Sequence, residues 1–293
     1  MRPVQGNTAN SGTWCPDEAT VAGYHRRGWL ITPPILPGDL LDAAWRSIQS
    51  YLDGIADHEI AMCAEATDQR RSRGDPLDQL GYLSLRLDDV RRLVTNSPLG
   101  EIAARLTGAD AIRLFHDRLI IKPPDPTVTT SVGWHTDRAY WRTCSSERML
   151  TAWVPFHDVD VTMGPLLVMT GSHRWRVGTH MATSHRSDMD DLLREAAGQR
   201  RLAPPATMTM RRGQVSFHDC RALHGSLPNH SDRVRAALAV HLQPGDNRYQ
   251  LVMSSGGRRI GHTNDLLCRA ASDGAPDYTD PEVFPDLWRD SDR

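Results

Sequence analysis

Apolar residues in the first hundred positions recur at helical spacing. Over residues 37–54, Leu40, Leu41, Ala44, Trp45, Ile48 and Leu52 form one stripe, which predicts an amphipathic helix. Asp17 is placed to cap an earlier helix running to Gly28, with Trp29-Leu-Ile-Thr-Pro-Pro34 as a short extended exit. Residues 85–106 predict one or two further helices closed by Gly108, and the polar stretch 68–75 predicts a loop. From Ile112 onward the pattern changes to short β-like runs bounded by Pro, Gly and Asp. Strands are predicted at 112–122, 134–137, 149–156, 166–169, 214–218 and 234–242. A long insert follows the fourth of these, with a helix predicted at 189–197, and a weakly patterned tail follows Gly245.

Two of the strands have faces of unequal character. Along 234–242, Val234, Ala236, Leu238, Val240 and Leu242 alternate with Arg235, Ala237, Ala239 and His241. Along 149–156, Leu150, Ala152, Val154 and Phe156 make an apolar face, and Thr151 and Trp153 lie on the other. Helices first and many short strands afterwards indicate an α+β chain, mainly β in its core, built as a sandwich or barrel.

Composition narrows the class. Of 34 basic residues only Lys122 is lysine, a skew that a GC-rich genome produces without reference to function. The formal net charge of −2 excludes an obvious nucleic-acid binder. No apolar run approaches the roughly 18 residues of a membrane span, and the N-terminus lacks a signal-type apolar segment. Cys15, Cys63, Cys144, Cys220 and Cys268 are odd in number and never paired as CxxC, so they read as reduced thiols of a cytoplasmic protein. A monomer or homodimer acting on a small molecule is expected.

The sharpest chemical feature is Trp134-His135-Thr136-Asp137. Alternation in a strand would put His135 and Asp137 on one face, offering an imidazole and a carboxylate to one metal ion. The pattern alone is weak, since about one His-x-Asp is expected by chance at this composition, and His230-Ser231-Asp232 is a second. Context favours the first. His224 stands 87 residues after Asp137, and Arg235 follows eleven residues later with two alanines beyond it on its face. Two histidines and a carboxylate on one face of Fe(II) leave three positions open. An arginine on an interior face with small neighbours suits a bound carboxylate.

Several stretches together resemble the phytanoyl-CoA dioxygenase-like family of Fe(II)/2-oxoglutarate oxygenases, over roughly residues 114–242. They are Arg118-Leu-Ile-Ile-Lys-Pro-Pro-Asp125, Trp134-His135-Thr136-Asp137, Thr151-Ala-Trp-Val-Pro-Phe156 and Gly164-Pro-Leu-Leu-Val-Met-Thr-Gly-Ser-His173. Gly213-Gln-Val-Ser-Phe-His218 and His224-Gly-Ser-Leu-Pro-Asn229 with Arg235 complete the series in order. The resemblance implies a double-stranded β-helix of the jelly-roll, cupin-like kind with flanking N-terminal helices. Residues 1–293 would form a single oxygenase domain, with a helical flank at 1–110, the core at 111–245, an insert at 174–203 and a tail at 246–293 packing on the core. It makes His135, Asp137 and His224 the iron ligands and catalytic centre. Arg235 would hold the distal carboxylate of 2-oxoglutarate, with Ser226 and Trp153 beside it. Arg118 falls where the family can have an apolar cosubstrate neighbour, and here it could reach the substrate instead. Trp134, Tyr140 and Trp141 are candidate substrate-pocket residues.

The implied reaction uses dioxygen and 2-oxoglutarate to hydroxylate, cyclise or desaturate a small molecule, a bacterial specialised metabolite being the expected kind. An amine-bearing substrate is slightly favoured by the many acids. The alternatives are a cupin-like metalloenzyme that does not use 2-oxoglutarate, and a catalytically silent binding protein on the same fold.

Overall fold

Helix α1 (Glu18–Arg27) starts at the expected cap, where Asp17 accepts a hydrogen bond from the Thr20 amide. It stops where Gly28, at φ 80°, turns the chain out of the helix. In the computed structural model, which describes residues 14–62, 64–73, 75–124, 130–175, 177 and 181–290, the exit becomes β1 (Trp29–Ile31). The amphipathic stripe forms α2 (Gly38–Leu52), with Leu41, Ala44 and Ile48 fully inside. Then come α3 (Ala64–Thr67), β2 (Asp78–Gly81), α4 (Leu83–Arg86), α5 (Asp88–Thr95) and α6 (Leu99–Thr107). The stretch predicted as a loop is broken by a short 3-10 turn, Arg71–Arg73. Neither β2 nor α4 was signalled. The start of α4 is instead fixed from outside, because the buried Asp117 carboxylate accepts from the Leu83 and Ser84 amides and the Ser84 hydroxyl.

The remaining elements are β3 (Ala111–Lys122), β4 (Val132–His135), β5 (Leu150–Pro155), β6 (Leu166–Val168), α7 (Met189–Ala197) and β7 (Ala206–Thr207). They continue as β8 (Ser216–Asp219), β9 (His224–Ser226), β10 (Arg235–Pro244), β11 (Val252–Met253), β12 (Arg259–Ile260), α8 (Asn264–Leu267) and β13 (Asp286–Arg289). Seven strands form one antiparallel sheet in the order β1-β8-β5-β10-β3-β13, with β2 on the other half of β3. Four form a second in the order β4-β9-β6-β7. This is the double-stranded β-helix expected, with the N-terminal helices on the outer face of the larger sheet.

The two-faced strands place the layers. Leu150, Ala152 and Val154 of β5 and Ala236, Leu238 and Val240 of β10 pack with Leu41, Ala44 and Ile48 of α2 in one core. Each fully buried Leu or Ile there contributes about 2 kcal/mol. The opposite face of the sheet looks toward the smaller sheet, where Trp153, Ala237 and Ala239 meet Leu166 and Val168. Beside this inner core lies a cavity of about 490 Å³ lined from both sheets. The insert helix α7 spans the predicted residues and packs against β4, where Leu192 approaches Gly133. The tail contributes β13, which pairs with β3, and Tyr278, Val283 and Phe284, which pack around Phe115 and Trp141. Cys15, Cys144, Cys220 and Cys268 are free thiols, and Cys63 lies outside the described residues. No helix among the described residues is long and apolar enough to cross a membrane.

Candidate metal centre

β4 ends at His135 and β9 begins at His224, and the two are direct cross-strand partners with ring centroids 4.1 Å apart. The separation of the two in the chain is thus closed by one rung of the smaller sheet. Asp137 lies just beyond β4, and its Oδ1 stands 3.6 Å from His224 Nε2 and 4.0 Å from His135 Nε2. One ligand atom from each residue lies within 4.8 Å of the others, and all three side chains are buried. The strand alternation expected to align His135 with Asp137 holds only in part. The strand stops at His135, and Asp137 opens a 3-10 turn, Asp137–Ala139, that swings its carboxylate back toward the imidazoles.

The donors are oriented by hydrogen bonds. His135 Nδ1 bonds to the Gly133 carbonyl at 2.7 Å, and His224 Nδ1 to the Ala222 carbonyl at 2.9 Å. Only a protonated Nδ1 can donate to a carbonyl, so both tautomers leave Nε2 as a free lone pair facing Asp137. On the far side of the carboxylate, the Thr151 hydroxyl donates to Asp137 Oδ2 at 2.5 Å. Burial holds both His135 and His224 below the ordinary imidazole range. Burial alone would raise Asp137, but the neighbouring His224, His218 and His241 hold it well below the usual carboxylate range. Neutral imidazoles and an ionised carboxylate are the protonation state in which all three can coordinate a cation. A two-histidine, one-carboxylate set of this kind suits Fe(II) and leaves coordination positions open.

Arg235 starts β10 on the inner face and is 1% exposed. Its guanidinium carbon lies 5.5 Å over the Trp153 ring, one NH group donates weakly to the Ile120 carbonyl at 3.4 Å, and its Nε has no partner. Burial pushes its pKa down to about 9. No carboxylate pairs with it among the described residues, so a buried cation lines the cavity without a counter-ion. Ser226, Trp153 and Arg118 line the same cavity. Arg233, two residues earlier in the chain, is on the surface and pairs with Asp160 at 2.7 Å. Lys122 sits opposite Arg235 in the β3–β10 register, fully buried, with its ammonium donating to the Leu227 carbonyl at 2.5 Å.

Of the three aromatic candidates, Tyr140 and Trp141 line the cavity. Trp134 does not. It is 3% exposed within a core cluster with Leu167, Met181 and Leu192, because its strand position alternates with that of His135 and points to the α7 side. Several wall residues were not anticipated as site residues. His116 has the same parity as Arg118 in β3, whereas Gln79 lies on β2, which carries no strand pattern. His262 and Thr263 come from the tail and Ser184 and His185 from the insert, regions with no usable pattern. The cavity wall carries no carboxylate other than Asp137 among the described residues, which removes the reason for favouring an amine-bearing substrate.

Comparison with known proteins agrees with this geometry. The family profile for phytanoyl-CoA dioxygenase (PhyH) matches residues 24–237. A probable alpha-ketoglutarate-dependent hypophosphite dioxygenase of Stutzerimonas stutzeri is 27% identical over 164 residues, covering 53% of each chain. Ectoine dioxygenase of Bordetella bronchiseptica is 29% identical over 157 residues, covering 50% of each. The chain therefore spans about half the length of the curated relatives it matches. The crystal structure of the non-heme alpha ketoglutarate dependent carbocyclase SnoK from nogalamycin biosynthesis superposes with a TM-score of 0.70 at 25% identity, covering 97% of this chain and 100% of that one. With the profile matched over most of its length, this chain belongs to the phytanoyl-CoA dioxygenase family.

Proposed function

We propose that the protein is an Fe(II)- and 2-oxoglutarate-dependent dioxygenase that hydroxylates, cyclises or desaturates a small molecule. The observation that carries the reading is the buried guanidinium of Arg235, lacking a carboxylate partner in the same cavity as the His135–Asp137–His224 set. A buried charge without a partner costs several kcal/mol, so its retention points to an anionic occupant. A dicarboxylate gripped at one end by Arg235 presents its other end to a metal held by the two histidines and Asp137.

Iron, 2-oxoglutarate and dioxygen together supply the oxidising power, with succinate and carbon dioxide as the cosubstrate's products. The chain's own contribution is placement. His135, Asp137 and His224 hold the metal at one end of the cavity, and Arg235 fixes the distal carboxylate by a charge-assisted fork. Trp153 packs under that guanidinium, Ser226 supplies a hydroxyl beside it, and the inner core keeps water from that end. The likeness to a carbocyclase from nogalamycin biosynthesis supports a substrate from specialised metabolism.

Anaerobic titration tests the reading. Fe(II) followed by 2-oxoglutarate is expected to produce a visible metal-to-ligand charge-transfer band. Arg235→Gln should raise the 2-oxoglutarate Kd at least about tenfold, since it removes a charge-assisted pair. His224→Ala should abolish stoichiometric iron. Absence of the band in the wild-type protein, with no succinate formed in air, overturns the proposal.

A further inference from the structure

The larger sheet presents its inner residues in rows across β3, β10, β5 and β8. Lys122 pairs with Arg235 in one row, Arg118 with Ala239 and then Trp153 in another, and His116 with His241, Thr151 and His218 in a third. Arg235 and Ala239 are four residues apart on β10, so the Arg118 row lies about 13 Å along the strand from the Arg235 row. Arg118 is half-buried, lines the cavity, and makes no hydrogen bond or ion pair among the described residues. Ala239, the small residue opposite it, leaves the guanidinium room. The nearest acid in sequence, Asp117, points to the other face and is used by Leu83 and Ser84.

Three imidazoles stand beside that arginine. His116 and His241 have ring centroids 4.3 Å apart, and His262 lies 5.2 Å from His116. His116 Nε2 is buried without a partner. Burial holds all three below the ordinary imidazole range. They are therefore neutral and not competing cations. His262 Nδ1 accepts from the Asn264 amide, so its ring N–H is on Nε2, whereas the N–H of His241 is engaged at Nδ1 with the Thr151 hydroxyl. Trp141 is in edge contact with His241, at 4.9 Å, and Tyr140 lines the same cavity.

The geometry points to a second anion subsite, in which Arg118 with His116 and His262 takes a carboxylate carried by the substrate. The inference rests on the dioxygenase reading above, which accounts for both acid groups of 2-oxoglutarate, one at Arg235 and one at the metal. That leaves Arg118 as a cation without an anion in a cavity whose only described carboxylate is Asp137. An acid group bound there would set which carbon of the substrate faces the metal.

The test uses the protein loaded with Fe(II) and 2-oxoglutarate without oxygen, so that the Arg235 end is filled. Calorimetric titrations would compare three aromatic acids, benzoate, 2-naphthoate and anthracene-2-carboxylate, each with its uncharged amide. At least one acid is expected to bind ten or more times tighter than its amide. Arg118→Gln should erase that preference, Arg118→Lys should keep part of it, and the charge-transfer titration with 2-oxoglutarate should stay unchanged in both. Because Arg118 supports no other group, neither variant is expected to lose its fold. Equal binding of acid and amide, failure of all three acids to bind, or a preference that survives Arg118→Gln each overturns the subsite. A tenfold loss of 2-oxoglutarate binding in Arg118→Gln also overturns it and places Arg118 on the cosubstrate instead. Failure of the wild-type protein to bind 2-oxoglutarate at all is a separate result, one that removes the dioxygenase reading itself.

Discussion

Thr151 does for Asp137 what backbone carbonyls do for the two histidines. Its hydroxyl donates to Asp137 Oδ2 and is also 2.8 Å from His241 Nδ1, so it holds the carboxylate with Oδ1 turned to the imidazoles. Thr151→Val keeps the shape and deletes both contacts. Groups that orient metal ligands in this way are worth about 10–100-fold in affinity, so the Fe(II) Kd is expected to rise by that range. Anaerobic competition against a chelating fluorophore measures it, and an unchanged Kd would show that the carboxylate is oriented without Thr151. Lys122 shows a different economy of residue type. In a chain where every other basic residue is arginine, the one lysine is fully buried and bonded to a carbonyl next to Ser226. A compact ammonium at the end of a slim stem fits such a site, whereas a planar guanidinium needs room for its fork.

At the scale of elements, the site depends on how closely β4 and β9 approach. A Cβ on Gly225 would sit 2.8 Å from the Val132 carbonyl oxygen and 3.2 Å from the Gly133 backbone. Gly225→Ala must push the strands apart at the rung that pairs His135 with His224. Overpacking of this kind costs about 1–3 kcal/mol, and a lower urea midpoint together with weaker iron binding is the expected outcome. If both stay at wild-type values, the strand spacing is not what sets the metal geometry. The same pair of strands shows why some elements could be read in the sequence and others could not. β5 and β10 carry alternating runs, β3 a long β-like run, and α2 and α7 a full apolar stripe, so local pattern and packing agree. β9 is only His224-Gly225-Ser226, without any β-forming run, and it is a strand because β4 and β6 flank it. β13 exists because the tail finds the open half of β3.

At the scale of the whole molecule, a group of histidines buried together sets the response to acid. Burial pushes His241 down to about 4 and His262 to about 3, and holds His116 well below the ordinary range. In each case the unfolded chain takes up its proton first, near pH 6.5, while the folded chain stays neutral. Protonation therefore favours unfolding as pH falls from about 6.5 toward the folded values, and above that range the groups contribute nothing. One such imidazole changes stability by about 1.4 kcal/mol per pH unit, or about 2 kcal/mol by pH 5. Urea unfolding of the metal-free protein at pH 7, 6 and 5 should show a falling midpoint with a slope of more than one proton. A midpoint independent of pH over that range would mean that these imidazoles become charged in the folded state.

The sequence by itself determined the layer order, the two-faced strands, the insert helix and the candidate ligands, since each rests on periodicity or on residue types within a short stretch. His135, Asp137, His224, Arg235, Ser226 and Trp153 could be named because the motifs that hold them are local. Tertiary structure alone decided the rest. It turned Asp137 back through a 3-10 turn after the strand had ended, sent Trp134 into the core with Leu192, and left Arg118 without a partner among the described residues. It also assembled a wall from β3, β10, the insert and the tail. The physical reason is that a side chain's partner is set by which strands pair and in what register, and that register is fixed by contacts between residues far apart in the chain.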